Sequence, residues 1–508
     1  MKKEIVKSEI ILIGAALFNL IFWHEKMGIN TVLFTLFMVS SLWYIERDSF
    51  QTRAVRITVA VSILLSALVV WHNSLIVKII YMLNFSIMIG MIQQRQLRFL
   101  GNAFLLYWIS LFAVPKNLIL SLKQHPILRG HKKMNQGLKL AAIPAIVFPI
   151  FYGIYYAANP KFAELAGQFW GKVLQWLSFD WNGARIAFFL LGLMVVGAAF
   201  WASRYTGLLH FENGKTDALN AEDFEEREFT FWDFSVENAY RSTLILMVSL
   251  NVLLLFNNLL DFNYVWLGGA GVRSAVELKQ YVHEGTYILI VGILLALVVL
   301  QIMYKGTLNF KENSQILRGL SFAWLGQNAV LAVSVGMRNW QYIDYYGLAY
   351  KRVGVFIFLS LVLYGLWLMY LKINEKRTFF FFISRGAWAI YGVMVATCFI
   401  NWDVFITRYN LTVTTKSGAV DVPFLTNIIS DKNLYLLDEN KEKLLQKMPN
   451  KPFESEEYWR SDALYFTNET DKKNYLERTL KQKRDGFDSE QKSLTWLSWN
   501  YADYANSK

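Results

Sequence analysis

Residues 353–371 read VGVFIFLSLVLYGLWLMYL, a run that contains no charged side chain. A helix needs about 20 apolar residues to cross a bilayer whose hydrocarbon core is about 30 Å thick. Similar runs occur at 10–23, 30–45, 55–71, 75–92, 99–121, 138–157, 184–202, 239–260, 286–304, 316–336 and 386–402. The sequence therefore predicts an all-α polytopic membrane protein with about eleven or twelve transmembrane helices.

The composition agrees with a membrane protein and excludes several other classes. Hydrophobic residues make up 55% of the 508 residues and charged residues only 18%, whereas a soluble domain carries about 25% charge. The chain also holds 38 Phe, 26 Tyr and 18 Trp. Disordered chains, collagens and disulfide scaffolds do not have this composition.

The net charge of +12 lies in the apolar part of the chain. Residues 403–508 hold 16 basic and 17 acidic residues, so the excess of Lys and Arg falls before Asp403. Basic residues between apolar runs mark loops beside anionic lipid. Because the polar tail is almost neutral, no nucleic-acid partner is predicted.

The runs and the segments between them suggest a domain organisation. Residues 403–508 are read as a small, mostly helical soluble domain, in which 411–422 has the pattern of a short hairpin. The segment 161–182 has apolar residues at helical spacing, as in a helix lying flat at the membrane surface. The full set is N-terminal transmembrane helices at 1–122, a basic cytoplasmic loop at 123–137, a transmembrane core at 138–402 with the interfacial helix 161–182 and the acidic loop 204–237, and the soluble domain at 403–508.

Basic residues also predict the orientation. They are about twice as numerous in the loops 123–139, 204–237, 305–318 and 372–385 as in the loops between them, so these four should face the cytoplasm. The tail after Asp403 then lies outside the cytoplasm. Lys2, Lys3 and Lys7 place the N-terminus inside. Five apolar runs precede the loop 123–139, so the N-terminus and this loop can both be cytoplasmic only if one of those runs does not cross. The candidate is 99–121, since Pro115 and Lys116 interrupt its end.

Few residues suggest chemistry. The single cysteine, Cys398, lies in an apolar run and excludes an internal disulfide. The six histidines include no pair at i, i+4, and the sequence has neither a phosphate-binding P-loop nor a nucleophile elbow. Within the apolar runs the clear charged residues are Lys78 and Arg241, near run ends. No cofactor, metal site or catalytic residue is predicted.

One group of polar residues recurs at the presumed outer membrane boundary. A structural interpretation is an aromatic belt with ion pairs that lock helix ends. A functional interpretation is a site for a phosphate or sugar headgroup, because Arg and Tyr suit anionic polar ligands. The candidate ligand-binding residues are His283, Glu284, Arg338, Asn339, Tyr346, Tyr350, Lys351, Arg352, Asn401, Asp403 and Arg408.

The same stretches carry a family resemblance. His283-Glu284-Gly285, Arg338-Asn339, Tyr346 to Arg352, Asn401-Trp402-Asp403, Arg408-Tyr409-Asn410 and Ser498-Trp499-Asn500-Tyr501 resemble the bacterial membrane family called domain of unknown function 4173. The match runs from about Glu237 to the C-terminus, and 411–422 departs from it by its many Thr and Val residues. The resemblance implies a multi-pass bacterial membrane protein and brings no catalytic residues with it.

Three functional hypotheses follow. The first is a scaffold, sensor or assembly factor of the cell envelope, seated in the cytoplasmic membrane, with partner proteins bound through 403–508 or 204–237. The second is a transporter or lipid-headgroup-handling protein that uses the polar group. The third is a membrane-embedded transferase with His283, Glu284 or Asp403 as base, which must approach within about 3 Å of the proton it takes.

Overall fold

The structure is a computed structural model. It describes residues 2–124, 144, 147–177, 183–201, 207–220, 236–267, 275–311, 314–449, 466 and 468–507. Across these residues the regular elements are helices, and the single exception is an antiparallel bridge between Ala218 and Arg377. The all-α prediction is confirmed. The basic loop predicted at 123–137 lies outside the described residues, except for its first two.

Nineteen α-helices occur in the described residues, numbered here in chain order. They are α1 (Lys2–Phe22), α2 (Ile29–Ile45), α3 (Arg53–His72), α4 (Leu75–Gln93), α5 (Leu100–Gln124), α6 (Val147–Ala158), α7 (Pro160–Leu177), α8 (Gly183–Phe200), α9 (Gly207–Asn213), α10 (Val236–Asp261), α11 (Ala275–Met303), α12 (Gln315–Tyr346), α13 (Tyr350–Asn374), α14 (Phe379–Thr397), α15 (Trp402–Thr412), α16 (Leu434–Glu439), α17 (Lys441–Lys447), α18 (Glu469–Gln491) and α19 (Tyr501–Ser507).

Eight helices are long and apolar enough to cross a membrane, so the chain is a multi-pass membrane protein. They are α3, α4, α5, α8, α10 with the π-helical turn Phe262–Trp266 that extends it, α12, α13 and α14. Three more predicted runs lie in shorter apolar helices at Ile29–Ile45, Val147–Ala158 and Tyr287–Met303. The first run lies within α1. Helices recur because lipid offers no hydrogen bonds, so each span must satisfy its own backbone.

The chain forms two compact units. The first comprises Met1–Val70, Lys78–His210 and Leu494–Asn500. In it α8 packs against α1 and α5. Helices α4 and α5 cross at Gly90, where an added Cβ would lie 1.9 Å from the carbonyl oxygen of Ala103. Such close approach of two backbones requires glycine and is common between membrane helices.

The second unit comprises Trp71–Val77, Phe211–Ser493 and Tyr501–Lys508. In its membrane part α12 packs against α10, α11 and α13, and α14 packs against α13. The apolar core here includes Ile293, Leu300, Leu331, Val335, Leu366 and Met369.

Helices α10 and α12 run in the same direction along a polar seam. Asn251 donates to the carbonyl of Leu320 at 3.1 Å, and Asn258 donates to the carbonyl of Gln327 at 3.0 Å. Trp266 extends the pairing by donating to Ser334 Oγ at 2.8 Å. The partners on α12 repeat every seven residues and those on α10 and its extension every seven or eight, which is close to the spacing of two helices that pack at a shallow angle.

The polar tail is mostly helical, and its buried residues share one apolar core with Ile343, Leu348 and Ala349 at the end of α12 and in the turn after it. Buried Ile406, Leu425, Leu437, Leu444 and Leu476 come from α15, α16, α17, α18 and the π-helical turn Phe424–Ile428. The short hairpin expected at 411–422 does not form. Instead Val420 donates to the carbonyl of Lys447 at 2.9 Å, and its side chain is buried in the helical core.

Two predicted non-spanning segments are partly described. Residues 161–182 contain most of α7, whose Leu165 and Phe169 are exposed; its position at a membrane surface stays a prediction. The acidic loop 204–237 contains α9, followed by a segment that pairs with the α13–α14 turn. Leu219 N–H donates to the Lys376 carbonyl at 2.9 Å, and Thr378 N–H donates to the Asp217 carbonyl at 3.0 Å.

Candidate functional site

The candidate residues gather where α12 turns into α13 and meets α15. Helix α12 ends at Tyr346, and Gly347 follows with φ +81° and ψ −168°. This backbone conformation is essentially restricted to glycine. It redirects the chain so that α13 starts three residues later, at Tyr350.

Arg352 braces this turn from inside. Its guanidinium donates to the carbonyl of Tyr346 at 3.2 Å and to that of Gly347 at 2.5 Å. It also lies over the ring of Tyr342, 4.6 Å from the centroid. These carbonyls would otherwise be left without partners at the end of α12, so the buried cation caps that helix.

Asn339 of α12 connects this helix to the first turn of α13. Its side-chain amide donates to the carbonyl of Arg352 at 2.8 Å and is 3% exposed. Of the predicted residues, Asn339 therefore contacts Arg352, and Arg352 contacts Tyr346. The side chains of Arg338 and Asn339 are both buried.

Arg338 pairs with a residue that the sequence analysis did not select. Its guanidinium donates to Asp261 at the end of α10, and both side chains are buried. The apolar run 239–260 ends one residue before Asp261, so the sequence predicts a loop position for this residue. A signal was present, since Asn251, Asn258 and Asp261 fall on one stripe of a helix.

Asn410 joins α15 to the α12–α13 turn by two reciprocal hydrogen bonds. Leu348 N–H donates to Asn410 Oδ1 at 2.7 Å, and Asn410 Nδ2 donates to the Leu348 carbonyl at 2.8 Å. The side-chain amide thus imitates a paired strand. Asn410 was quoted in the resemblance but was not selected as a site residue.

Asp403 makes the second connection between α13 and the helical domain. Tyr350 Oη donates to Asp403 Oδ1 at 2.5 Å, and Ser430 Oγ donates to Asp403 Oδ2. Thr407 Oγ1 donates to the Asp403 backbone carbonyl at 2.7 Å. Both carboxylate oxygens therefore accept hydrogen bonds from within the protein.

The remaining candidates are less enclosed. Asn401 caps α15 by accepting from Val404 N–H at 3.3 Å. Lys351 and Arg408 are exposed at the same boundary. His283 and Glu284 belong to α11, but their side chains lie outside the described part of the structure.

A half-buried lysine continues the network into the helical tail. Lys483 Nζ donates to the carbonyls of Leu425 at 3.3 Å and Ile429 at 2.9 Å, and to Asn433 Oδ1 at 2.9 Å. Burial penalises the ammonium form and lowers the pKa of Lys483 to about 8, although Asp431 and Asp403 oppose the shift.

Lys483 should make stability depend on pH. Its depressed pKa means that the unfolded chain binds the proton more tightly, so the folded state carries a penalty below about pH 8 that is relieved as the pH rises toward 10.5. We expect the stability of the wild type to rise, relative to Lys483→Met, between pH 8 and 10. Thermal unfolding of both proteins across this range measures the difference.

A neighbouring lysine, Lys432, does not produce the same pH dependence of stability. Burial lowers the pKa of Lys432, but the carboxylates of Asp431 and Asp503 outweigh burial and raise it above its usual range. Lys432 therefore does not lose its proton below the range of an ordinary lysine. A flat difference between wild type and Lys483→Met would contradict the prediction.

Chemically, the site suits holding helices together better than converting a substrate. The described donors of Asn339, Tyr350 and Asn410 are directed to groups of the same chain. Among the residues that the structure describes, no three His, Cys, Asp or Glu side chains are arranged to hold a metal ion. Ligand binding by the candidate residues stays a prediction.

Comparison with known proteins gives one match. No curated protein and no solved structure matches the chain. A family model, described as domain of unknown function (DUF4153), matches residues 54–440, about three quarters of the sequence. This family, DUF4153, is numbered differently from family 4173, which the sequence motifs resemble. The match covers α3 to α16, including the whole α12–α13–α15 junction, and the chain belongs to the DUF4153 family.

Proposed function

We propose that the protein is a non-catalytic scaffold, sensor or assembly factor of a bacterial cell envelope. Its membrane helices would hold the domain 403–508 in a fixed orientation at one membrane boundary for partner proteins. The observation that carries the proposal is the double connection at the α12–α13 turn, through Leu348–Asn410 and Tyr350–Asp403–Ser430. The finer resemblance to family 4173 and its bacterial origin belong to this proposal.

Packing supports a rigid connection. Ile343 of α12 and Leu348 and Ala349 of the turn belong to the same apolar core as the buried residues of α15, α16, α17 and α18. A hinged domain would instead be joined by an exposed segment with few contacts. A fixed domain can transmit or resist force between its partners and the membrane.

The alternative is a transporter or lipid-headgroup-handling protein that uses the same polar cluster. It draws support from the exposed cations of Lys351 and Arg408. It is the weaker candidate, because Arg338 and Arg352 bind Asp261 and two carbonyls within the chain.

We further propose that the N-terminus faces the cytoplasm. In the first unit, Lys7 pairs with Glu46 at 3.1 Å, and Arg95 donates to the Asp48 carbonyl, so one end of the unit is rich in basic residues. At the other end Lys26 N–H donates to Ser498 Oγ at 2.8 Å. The positive-inside rule then puts the N-terminus inside and the C-terminal segment outside.

Helix α5 supports the suggestion that the run 99–121 does not cross. Ser110 near its middle donates to Gln93 at the end of α4 at 3.0 Å, and Asn117 donates to the Trp201 carbonyl after α8 at 3.5 Å. Gln93 also donates to the Ala198 carbonyl. These contacts support a return of the end of α5 to the membrane face where α4 ends. The run 99–121 would then not cross, although α5 is long and apolar enough to do so.

One labelling experiment tests orientation and function together. In a Cys398→Ala background, Glu477→Cys places a thiol on the exposed face of α18, and Lys305→Cys places one at the opposite end of the second unit. Intact protoplasts are treated with a membrane-impermeant maleimide–benzophenone reagent. We expect Glu477→Cys to react before permeabilisation and Lys305→Cys only after it.

Illumination then tests for partners. A scaffold should give discrete protein adducts from Glu477→Cys, and these should fall several-fold when Asp403→Ala loosens the junction. If Glu477→Cys reacts from outside but yields no protein adduct, the scaffold function is wrong while the orientation stands. Reaction of Lys305→Cys from outside would overturn the orientation instead.

A further inference from the structure

We infer that the end of the second unit opposite the candidate site binds the headgroup of an anionic phospholipid. Four exposed or half-buried cations lie there, near the α11–α12 and α13–α14 connections: Lys305, Arg318, Lys376 and Arg385. This set is called the cation cluster below.

Contacts between the two connections hold the cluster together. Lys372 Nζ donates to the Tyr304 carbonyl at 2.8 Å, which caps the end of α11. Lys376 Nζ lies 4.7 Å from the ring centroid of Phe310. Arg318 reaches the Asn309 carbonyl at 3.5 Å. The segment 304–310 therefore touches cations from both α12 and the α13–α14 turn.

Two acidic groups of this region pair with cations outside the cluster. Glu237 pairs with Lys311 at 2.5 Å and with Arg241 at 3.0 Å, and Glu375 pairs with Arg377 at 2.8 Å. Within the described ranges none of the four cluster cations forms an ion pair with a carboxylate. Cations gathered without a counter-charge favour binding of an anion.

The surroundings of the cluster select an amphiphilic anion. Arg385 lies 5.8 Å from the ring centroid of Phe381, at the start of a membrane span. The apolar side chains of Ile302, Ile316 and Phe379 are exposed within a turn or two of the cations. A phosphate beside the cations and acyl chains over the apolar residues would satisfy both surfaces, as free phosphate would not.

The test measures lipid binding to the full-length protein in neutral detergent. Dioleoylphosphatidylglycerol is the anionic probe, dioleoylphosphatidylcholine is the neutral lipid with the same chains, and inorganic phosphate is the headgroup alone. Binding is followed by native mass spectrometry and by the shift in thermal midpoint. We expect the glycerol lipid to bind at least tenfold more tightly than the choline lipid, and phosphate to compete weakly.

Matched variants locate the site. Lys376→Gln/Arg385→Gln should weaken binding of the anionic lipid about tenfold or more, since each cation near an anionic headgroup contributes about a fivefold factor. Lys351→Gln/Arg408→Gln removes two exposed cations from the opposite boundary and should leave binding unchanged. Both pairs spare the buried Lys372, whose loss would disturb the fold.

Several results would overturn the inference. Equal binding of the two lipids, full competition by phosphate, or equal loss in both double variants would each do so. Lipid binding by Glu222→Gln/Asp223→Asn/Glu225→Gln/Glu226→Gln but not by the wild type would also overturn it, because the cluster would then serve acidic groups of the same chain.

Discussion

Arg338→Leu is expected to lower the free energy of unfolding by about 3–5 kcal/mol, the range for breaking a buried ion pair. Asp261 would be left as an uncompensated carboxylate, with a side chain only 8% exposed, between two membrane-spanning helices. Neither water nor lipid can replace the guanidinium there. Asp261→Leu should be equally damaging, because it strands Arg338.

The double variant Asp261→Leu/Arg338→Leu tests whether the two residues act as a pair. Two apolar residues of similar volume often replace a buried pair at little cost, so it should recover most of the stability lost in either single variant. Arg408→Leu removes an exposed cation from the same boundary and should change stability by less than about 0.5 kcal/mol. Unfolding in mixed SDS micelles, followed by tryptophan fluorescence, measures all four proteins. Additive losses in the double variant would show that the pair does not act as a unit.

Gly347→Ala should cost about 2–6 kcal/mol for two separate reasons. Its φ of +81° with ψ of −168° is a conformation that costs other residues about 1–3 kcal/mol. An added Cβ would also lie 2.5 Å from Asn410 Oδ1 and displace the acceptor of the Leu348 N–H. A buried donor left without its acceptor adds about 1–3 kcal/mol.

Gly354→Ala provides a control with the opposite sign. Gly354 lies inside α13, where an added Cβ meets nothing within 4 Å, so alanine should stabilise the helix by up to about 1 kcal/mol. The same SDS titration compares the two substitutions. In Gly347→Ala/Asn410→Ala the clash is gone, so the loss should be smaller than the sum of the single losses. Similar effects of alanine at both glycines would contradict the role of the turn.

Gly347 illustrates how much of the site the sequence could predict. The run from Tyr346 to Arg352 stood out by composition, and it does form the junction. Its partners could not be predicted, because Asn410 lies 62 residues away and Asp261 lies 77 residues from Arg338. Local periodicity says which face of a helix is polar, but it carries no information on which distant face will meet it.

The segment 411–422 and Lys372 are two further cases in which local sequence does not predict the tertiary contacts. Residues 411–422 have strand-like composition, but burial of Val420 in a helical core outweighs that local preference. Lys372 follows the apolar run 353–371 and would be taken for a solvated loop residue. Only the packing of α13 against α11 shows it to be buried on the Tyr304 carbonyl.

Sequence information alone is enough to predict the membrane class and the helical character of the chain. Those properties depend on length, composition and local spacing, because a bilayer demands apolar helices whatever their neighbours are. Which cations have a carboxylate or carbonyl partner within the chain could be seen only in the tertiary structure. Arg338 meets Asp261 and Arg352 meets two carbonyls, whereas the cation cluster meets no carboxylate among the described residues. Charge pairing is a property of distance in space, and the packing of helices far apart in sequence sets those distances.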